Sequence, residues 1–302
     1  MQGGKLIGVL GGIVGAVALT LSSAVAQKYD KVEIKSIELA KGVYMLTGAG
    51  GNMGVSVGEG GVFLIDDQFA PLTPKIKAAI AKLSDKAVKF VINTHWHSDH
   101  TGGNENLGRE GLIIVAHDNV RKTMSKDQVI AMFNANVPAA PEVALPSITF
   151  SDTTTFYLNG EELRVRYLQP SHTDGDSIVQ FKNANVIHTG DIFFNGFYPF
   201  IDVDHGGAIN GMIANATTII GLAGADTKII PGHGPQATRD QLIAYRDMLI
   251  TARDNVKALV DAGKTEAQTL AAKPTADLDK EWGDGFLKPD AFVKTVYASL
   301  KQ

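Results

Sequence analysis

The 302-residue sequence contains no cysteine. That absence removes disulfides, thiolate nucleophiles and zinc–thiolate sites together, so any metal must be held by nitrogen and oxygen donors. A basic surplus is also missing: 28 Lys and Arg stand against 32 Asp and Glu, with no run of like sign. Polyanion binders show clustered Lys or Arg, so the expected partner is a small-molecule substrate and not nucleic acid. No short-period repeat or low-complexity segment is visible.

Long apolar runs are confined to the N-terminus, where Lys5 precedes the stretch Leu6 to Leu21 and the small-residue ending Ser22-Ser23-Ala24-Val25-Ala26. This pattern reads as a secretory signal peptide over residues 1–26, cleaved before Gln27, which predicts a periplasmic or secreted protein with no stable membrane anchor after cleavage. Removing 26 of 302 residues leaves 276, and losing Lys5 leaves 27 basic against 32 acidic residues, a net charge of −5. Residues 27–302 are long enough to bury a sizeable core as one domain or two intimately packed halves.

Short β-branched segments separated by glycines, Val32 to Leu39, Val43 to Leu46, Val55 to Val57 and Val62 to Ile65, predict hairpins. Pro71 opens a helical stretch to Leu83, and Val88 to Ile92 returns as a buried strand. A strand over Leu112 to Ala116 and a helix from Asn119 to Phe133 follow. Pro138, Pro141 and Pro146 mark residues 137–150 as a linker. A second set of strands covers Thr153 to Leu158, Glu162 to Tyr167, Ser177 to Phe181 and Val186 to His188. A helix over Ala208 to Leu222, a strand over Lys228 to Ile230 and C-terminal helices with Leu242, Tyr245, Leu249, Val256 and Val260 at helical spacing complete the chain. Two halves of strands covered by helices predict an α/β protein built as a four-layer αββα sandwich, with strand ends converging on one cleft.

The densest chemistry lies in Asn93-Thr-His-Trp-His-Ser-Asp-His-Thr-Gly-Gly103, which packs His95, His97, Asp99 and His100 into six residues after an apolar strand. Imidazole and carboxylate are donors that a borderline cation such as zinc prefers. His95 and His97, two apart in extended chain, share a side and can grip one ion while Trp96 points away. Asp99 and His100 lie further round the turn, which suggests a second ion close by, and Gly102-Gly103 lets the backbone curl. Three more candidates follow strands where glycine or proline bends the chain: His172, Asp191 and His233. The other histidines read as structural: His117 a cap, His188 a buried strand residue and His205 a loop residue, the last being the best of the three as a substrate contact.

These motifs, in this order over nearly all of residues 27–302, resemble the metallo-β-lactamase-fold superfamily of hydrolases. The resemblance implies two Zn2+ per chain, the first held by His95, His97 and His172, the second by Asp99, His100 and His233, with Asp191 bridging and Asp66 orienting imidazoles from behind. It also implies a metal-activated water as nucleophile, with Asp99 as the catalytic residue that orients it or moves its proton. The expected reaction is hydrolysis of a carbonyl-type bond: amide, lactam, lactone, ester or thioester. Asp191 matches the glyoxalase II type of ligand set, whereas familiar β-lactamases tend to carry Cys or Ser there and many place a Lys shortly after it. Here Phe193-Phe-Asn-Gly-Phe-Tyr-Pro-Phe200 follows, a run that walls an apolar pocket or packs in the core. True β-lactam hydrolysis and iron-dependent sulfur dioxygenation are the alternative activities. Flavo-di-iron proteins carry an acidic residue at the place of His97. Gly48 to Gly54 reads as a hairpin turn first and a flap second, and the destination of Trp282 to Leu287 is left open.

Overall fold

The computed structural model describes residues 28–302, so the expected signal peptide lies outside the described residues. Among the described residues the chain forms two main β-sheets face to face, each backed by helices. The first has seven strands: β1 (Lys35–Ala40), β2 (Val43–Thr47), β3 (Met53–Gly58), β4 (Gly61–Ile65), β5 (Val88–Ile92), β6 (Ile113–His117) and β9 (Ile148–Phe150). The meander β1 to β4 is antiparallel, and β4, β5, β6 and β9 are parallel. The second sheet contains β10 (Thr153–Leu158), β11 (Glu161–Tyr167), β12 (Ser177–Phe181), β13 (Val186–His188) and β14 (Lys228–Ile230).

Central strands are buried on both faces, so their sequences are continuous apolar runs whose alternate residues enter different layers. In β4, Phe63 and Ile65 face the second sheet, while Val62 and Leu64 face helix α1 (Thr73–Ala81) through its residues Ile76, Ala79 and Ile80. In β12 to β14, Val179, Phe181, Val186 and Ile230 fill the space between the sheets; Ile178, Ile187 and Ile229 face outward. That outer face is covered by α5 (Ile209–Leu222), α6 (Arg239–Asp261) and α9 (Pro289–Leu300). The result is the αββα sandwich expected from the sequence. No helix among the described residues is long and apolar enough to cross a membrane.

Two local expectations are corrected. The helix anticipated to Phe133 is α4 (Asp118–Met124) alone; it is followed by the hairpin of β7 (Gln128–Ile130) and β8 (Ala135–Val137). Asn134, at φ 47°, makes the left-handed turn that a continuing helix forbids. The segment 137–150 is more than a linker, because its last residues form β9 and extend the first sheet beside β6. Helices α2 (Ser98–Thr101), α3 (Asn104–Arg109), α7 (Glu266–Ala271) and α8 (Ala276–Trp282) are short connectors.

Candidate metal centre

Parallel strands deliver their polar C-terminal residues to one edge of a sheet, where ligand sites of α/β folds form. Asp66 follows β4, His95 to His100 follow β5, Asp191 follows β13 and His233 follows β14, while His172 sits in the loop between β11 and β12. All seven candidate ligands meet at this edge, in two adjacent groups. His95, His97, His172 and Asp191 form one, and Asp99, His100 and His233 form the other; within each group the donor atoms lie within 4.8 Å of one another. Asp191 also reaches the second group, with Oδ1 3.0 Å from His100 Nε2 and Oδ2 3.3 Å from His233 Nε2.

The hydrogen bonds behind the imidazoles fix what faces inward. Asp202 Oδ2 accepts from His97 Nε2 at 2.8 Å, and the Phe200 carbonyl accepts from His172 Nδ1 at 2.8 Å. Each ring therefore presents an unprotonated nitrogen to the other, His97 Nδ1 against His172 Nε2 at 2.8 Å. Two lone pairs so placed repel unless a cation lies between them or a proton is shared. Buried His95 Nε2 likewise lacks a hydrogen-bond partner. This donor set fits a metal ion, since orphaned inward nitrogens oriented from outside are how histidine ligands are held.

Asp66 is the common support. Its Oδ1 accepts from the Thr94 amide at 2.8 Å, and its Oδ2 accepts from the Thr94 hydroxyl at 2.8 Å and from His100 Nδ1 at 2.7 Å. The Thr94 hydroxyl in turn lies 3.1 Å from His95 Nδ1. Asp66 holds a left-handed φ of 60°, and Gln68 one of 55°, backbone strain of the kind found at functional sites. Room for the rings is made by glycine. A Cβ on Gly51 would stand 2.0 Å from the His100 ring, and one on Gly232 2.0 Å from Asp191 Oδ1.

Electrostatics divides the two groups. Burial pushes His95 well down, helped by the His100 charge, and burial also lowers His172 against the pull of Asp191. Burial opposes charge on His100 as well, but Asp191, Asp99 and Asp66 outweigh it and raise its pKa well above the usual imidazole range. At His233 burial is again overcome, by Asp191 and Asp99, and the pKa rises to about 9. Burial raises Asp99, yet His100 and His233 hold its carboxyl down at about 2. Asp191 is kept well below the carboxylate range by the same two histidines together with His95 and His172, despite burial.

Several contributors were not legible in the sequence. Asp202 follows the aromatic run with no motif of its own. Asp176 ties the His172 loop, accepting from the Ser171 hydroxyl at 2.6 Å and from the His172 amide at 2.7 Å; the cluster of Ser, Thr, Asp and Gly around His172 was its only signal. The aromatic run divides: Phe193 and Tyr198 pack in the core, while Phe194, Phe197 and Phe200 line the cleft over the metal-ligand cluster. Of the Gly48 to Gly54 stretch, residues 48–52 connect β2 to β3 and the last two begin β3; Asn52 locks the turn by donating to the carbonyls of Pro231 and Gly234 at 2.9 and 2.8 Å. His117 caps α4 by accepting from Asn119 N, and His188 lies within β13. His205 bonds Asp202 and Gln128, one step behind His97.

A model of the metallo-beta-lactamase superfamily matches residues 46–245, about two thirds of the sequence and all seven clustered residues. The chain belongs to this superfamily. Among curated relatives, a hydroxyacylglutathione hydrolase of Nitrosococcus oceani is 27% identical over 166 residues, 54% of this chain and 55% of the relative. The 2,4-dinitroanisole O-demethylase subunit alpha of Nocardioides sp. is 24% identical over 179 residues, 58% of this chain and 50% of the relative. The chain thus spans about half the length of the curated relatives it matches. Among solved structures, the sec-alkylsulfatase Pisa1 from Pseudomonas sp. aligns with a TM-score of 0.66 and 18% identity, covering 90% of this chain and 50% of that one. DIM-1 metallo-beta-lactamase aligns at 0.57 and 17%, covering 74% of this chain and all of that one. At these identities the structural likenesses establish the superfamily fold and leave the substrate open.

Proposed function

We propose that this chain is a di-zinc hydrolase that cleaves a carbonyl-type bond. The observation that carries the reading is the convergence of seven donor side chains in two adjoining groups, with imidazole nitrogens of His95, His97 and His172 turned inward. His95, His97 and His172 would hold one ion, Asp99, His100 and His233 the other, and Asp191 would reach both. Such a pair supplies Lewis acidity at the scissile carbonyl and lowers the pKa of a water toward about 7.

The chain's own groups then have distinct tasks. Asp99 is the more open of the two carboxylates in the cluster: its side chain is 26% exposed against 4% for Asp191, so it is the one that can meet solvent and a bound substrate. Its depressed pKa keeps it ionised, fit to accept a hydrogen bond from the attacking water and orient it. Asp202, Asp66 and the Phe200 carbonyl keep the rings aimed. Metal analysis coupled to a substrate panel tests the proposal. The expected result is close to two zinc per chain, with turnover of esters, thioesters or lactones that is lost on chelation and restored by zinc. A single iron per chain with oxygen consumption would replace the hydrolase with a dioxygenase, and cleavage of phosphodiesters alone would move the reaction away from carbonyl centres.

A further inference from the structure

Above the metal-ligand cluster lies a cleft of about 410 Å3, within the roughly 300–1,000 Å3 span of small-ligand pockets. Its polar lining is nearly used up by the ligands themselves: His97, Asp99, His172, Asp191 and His233 form the floor, and Ser98 is the other polar side chain. The remaining wall is aliphatic or aromatic, and no Lys or Arg lines it among the described residues. An anionic substituent placed away from the floor would lose its hydration and gain no cation in return.

Two rings at the mouth are left facing water. Phe133, at the tip of the β7–β8 hairpin, is 40% exposed, and Phe286, in the loop between α8 and α9, is 73% exposed. They stand 5.4 Å apart between ring centroids, and Phe133 also meets Phe200 at 4.8 Å. The Phe286 loop is held where it is: Tyr198 N donates to the Trp282 carbonyl at 2.9 Å, and Gly285 lies so close to Phe197 that a Cβ there would come within 2.3 Å of it. Opposite, Phe194 stacks on His233 at 5.2 Å. Two exposed aromatic rings packed against each other at the rim of a cleft whose wall is otherwise aliphatic or aromatic are the signature of a surface completed by an apolar ligand.

We infer that the substrate carries an uncharged, apolar acyl or aryl substituent, gripped between the Phe133–Phe286 pair and the Phe194–Phe197 wall, and that the two outer rings set how long that substituent is. The inference rests on the hydrolytic reading for the bond cleaved, and on the cleft alone for the group recognised. Its test therefore has a binding arm and a turnover arm. Calorimetry on the metal-loaded protein compares butanamide, octanamide and the monoamide of octanedioic acid, whose far end is a carboxylate. Steady-state rates are measured on p-nitrophenyl esters from acetate to octanoate.

Each methylene that enters the cleft adds about fourfold in affinity. Octanamide is expected to bind at least tenfold more tightly than butanamide, the carboxylate-ended amide no more tightly than butanamide, and kcat/KM to rise along the ester series. Phe286→Ala and Phe133→Ala each cut the preference for octanamide at least threefold with metal content unchanged. Length-dependent binding of octanamide with no turnover of any ester, thioester or lactone upholds the apolar grip and overturns the hydrolytic reading. Turnover with no dependence on chain length, or tighter binding of the carboxylate-ended amide, overturns the grip and leaves hydrolysis standing.

Discussion

Asp99, His233 and Asp202 show how far single side chains determine the chemistry. Replacing Asp99 with Ala removes the exposed carboxylate that faces the reacting centre, and kcat is expected to fall about 10²- to 10⁴-fold while the circular dichroism spectrum is unchanged. A loss of less than tenfold would remove Asp99 from catalysis. Asp202 touches the His97 ring and lies outside the ligand set, so Asp202→Ala should weaken metal affinity about 10- to 100-fold in a competition with a chelator. Proton competition adds a pH dependence whose sign follows from the raised histidines. Against burial, Asp191 and Asp99 raise the His233 pKa to about 9, so below that pH a proton must leave before the nitrogen can bind a cation. Affinity at the second group should therefore fall about tenfold for each unit of pH below 9 per proton displaced. The first group, whose His95 and His172 are already pushed toward neutrality by burial, should bind with little pH dependence over the same range. A flat profile for both ions would contradict this division.

Secondary-structure elements decide which of these features the sequence made readable. Strands β4, β5 and β13 stood out as short, largely apolar and β-branched segments, and Asp66, the His95 to His100 cluster and Asp191 were found by looking just beyond their ends. Helix α6 was legible because Leu242, Tyr245, Leu249 and Val256 recur on one buried stripe. The β7–β8 hairpin was not, since Val129, Ile130, Met132 and Phe133 satisfy a helical stripe and a short hairpin equally well. Only the left-handed Asn134 separates the two, and asparagine adopts that conformation without advertising it. Asp202 was hidden for a different reason: a partner 105 positions away, as His97 is, leaves no local pattern. Element ends also carry stability. Thr238 and Gln241 form a reciprocal capping box at the start of α6, and Thr238→Ala is expected to cost about 1 kcal/mol in denaturant unfolding with activity intact. No change in the midpoint would show that the packed stripe of α6 holds the helix without its cap.

The complete sandwich brings together segments from Asp66 to His233 only when both sheets are in place, so the candidate metal centre is assembled only in the folded state. Ions that bind the native protein and not the unfolded chain stabilise it in proportion to the logarithm of their concentration. The thermal midpoint should rise with added zinc and fall on chelation, an effect that the Asp191→Ala variant loses in large part. A melting curve indifferent to zinc would mean that the seven side chains are assembled for another purpose. The most direct test of the central claim is X-ray absorption at the zinc edge on fully loaded protein. Two ions in one pocket predict an imidazole-rich coordination shell together with metal–metal scattering at about 3.5–4 Å. A spectrum of isolated zinc with no second metal within that distance would contradict the account.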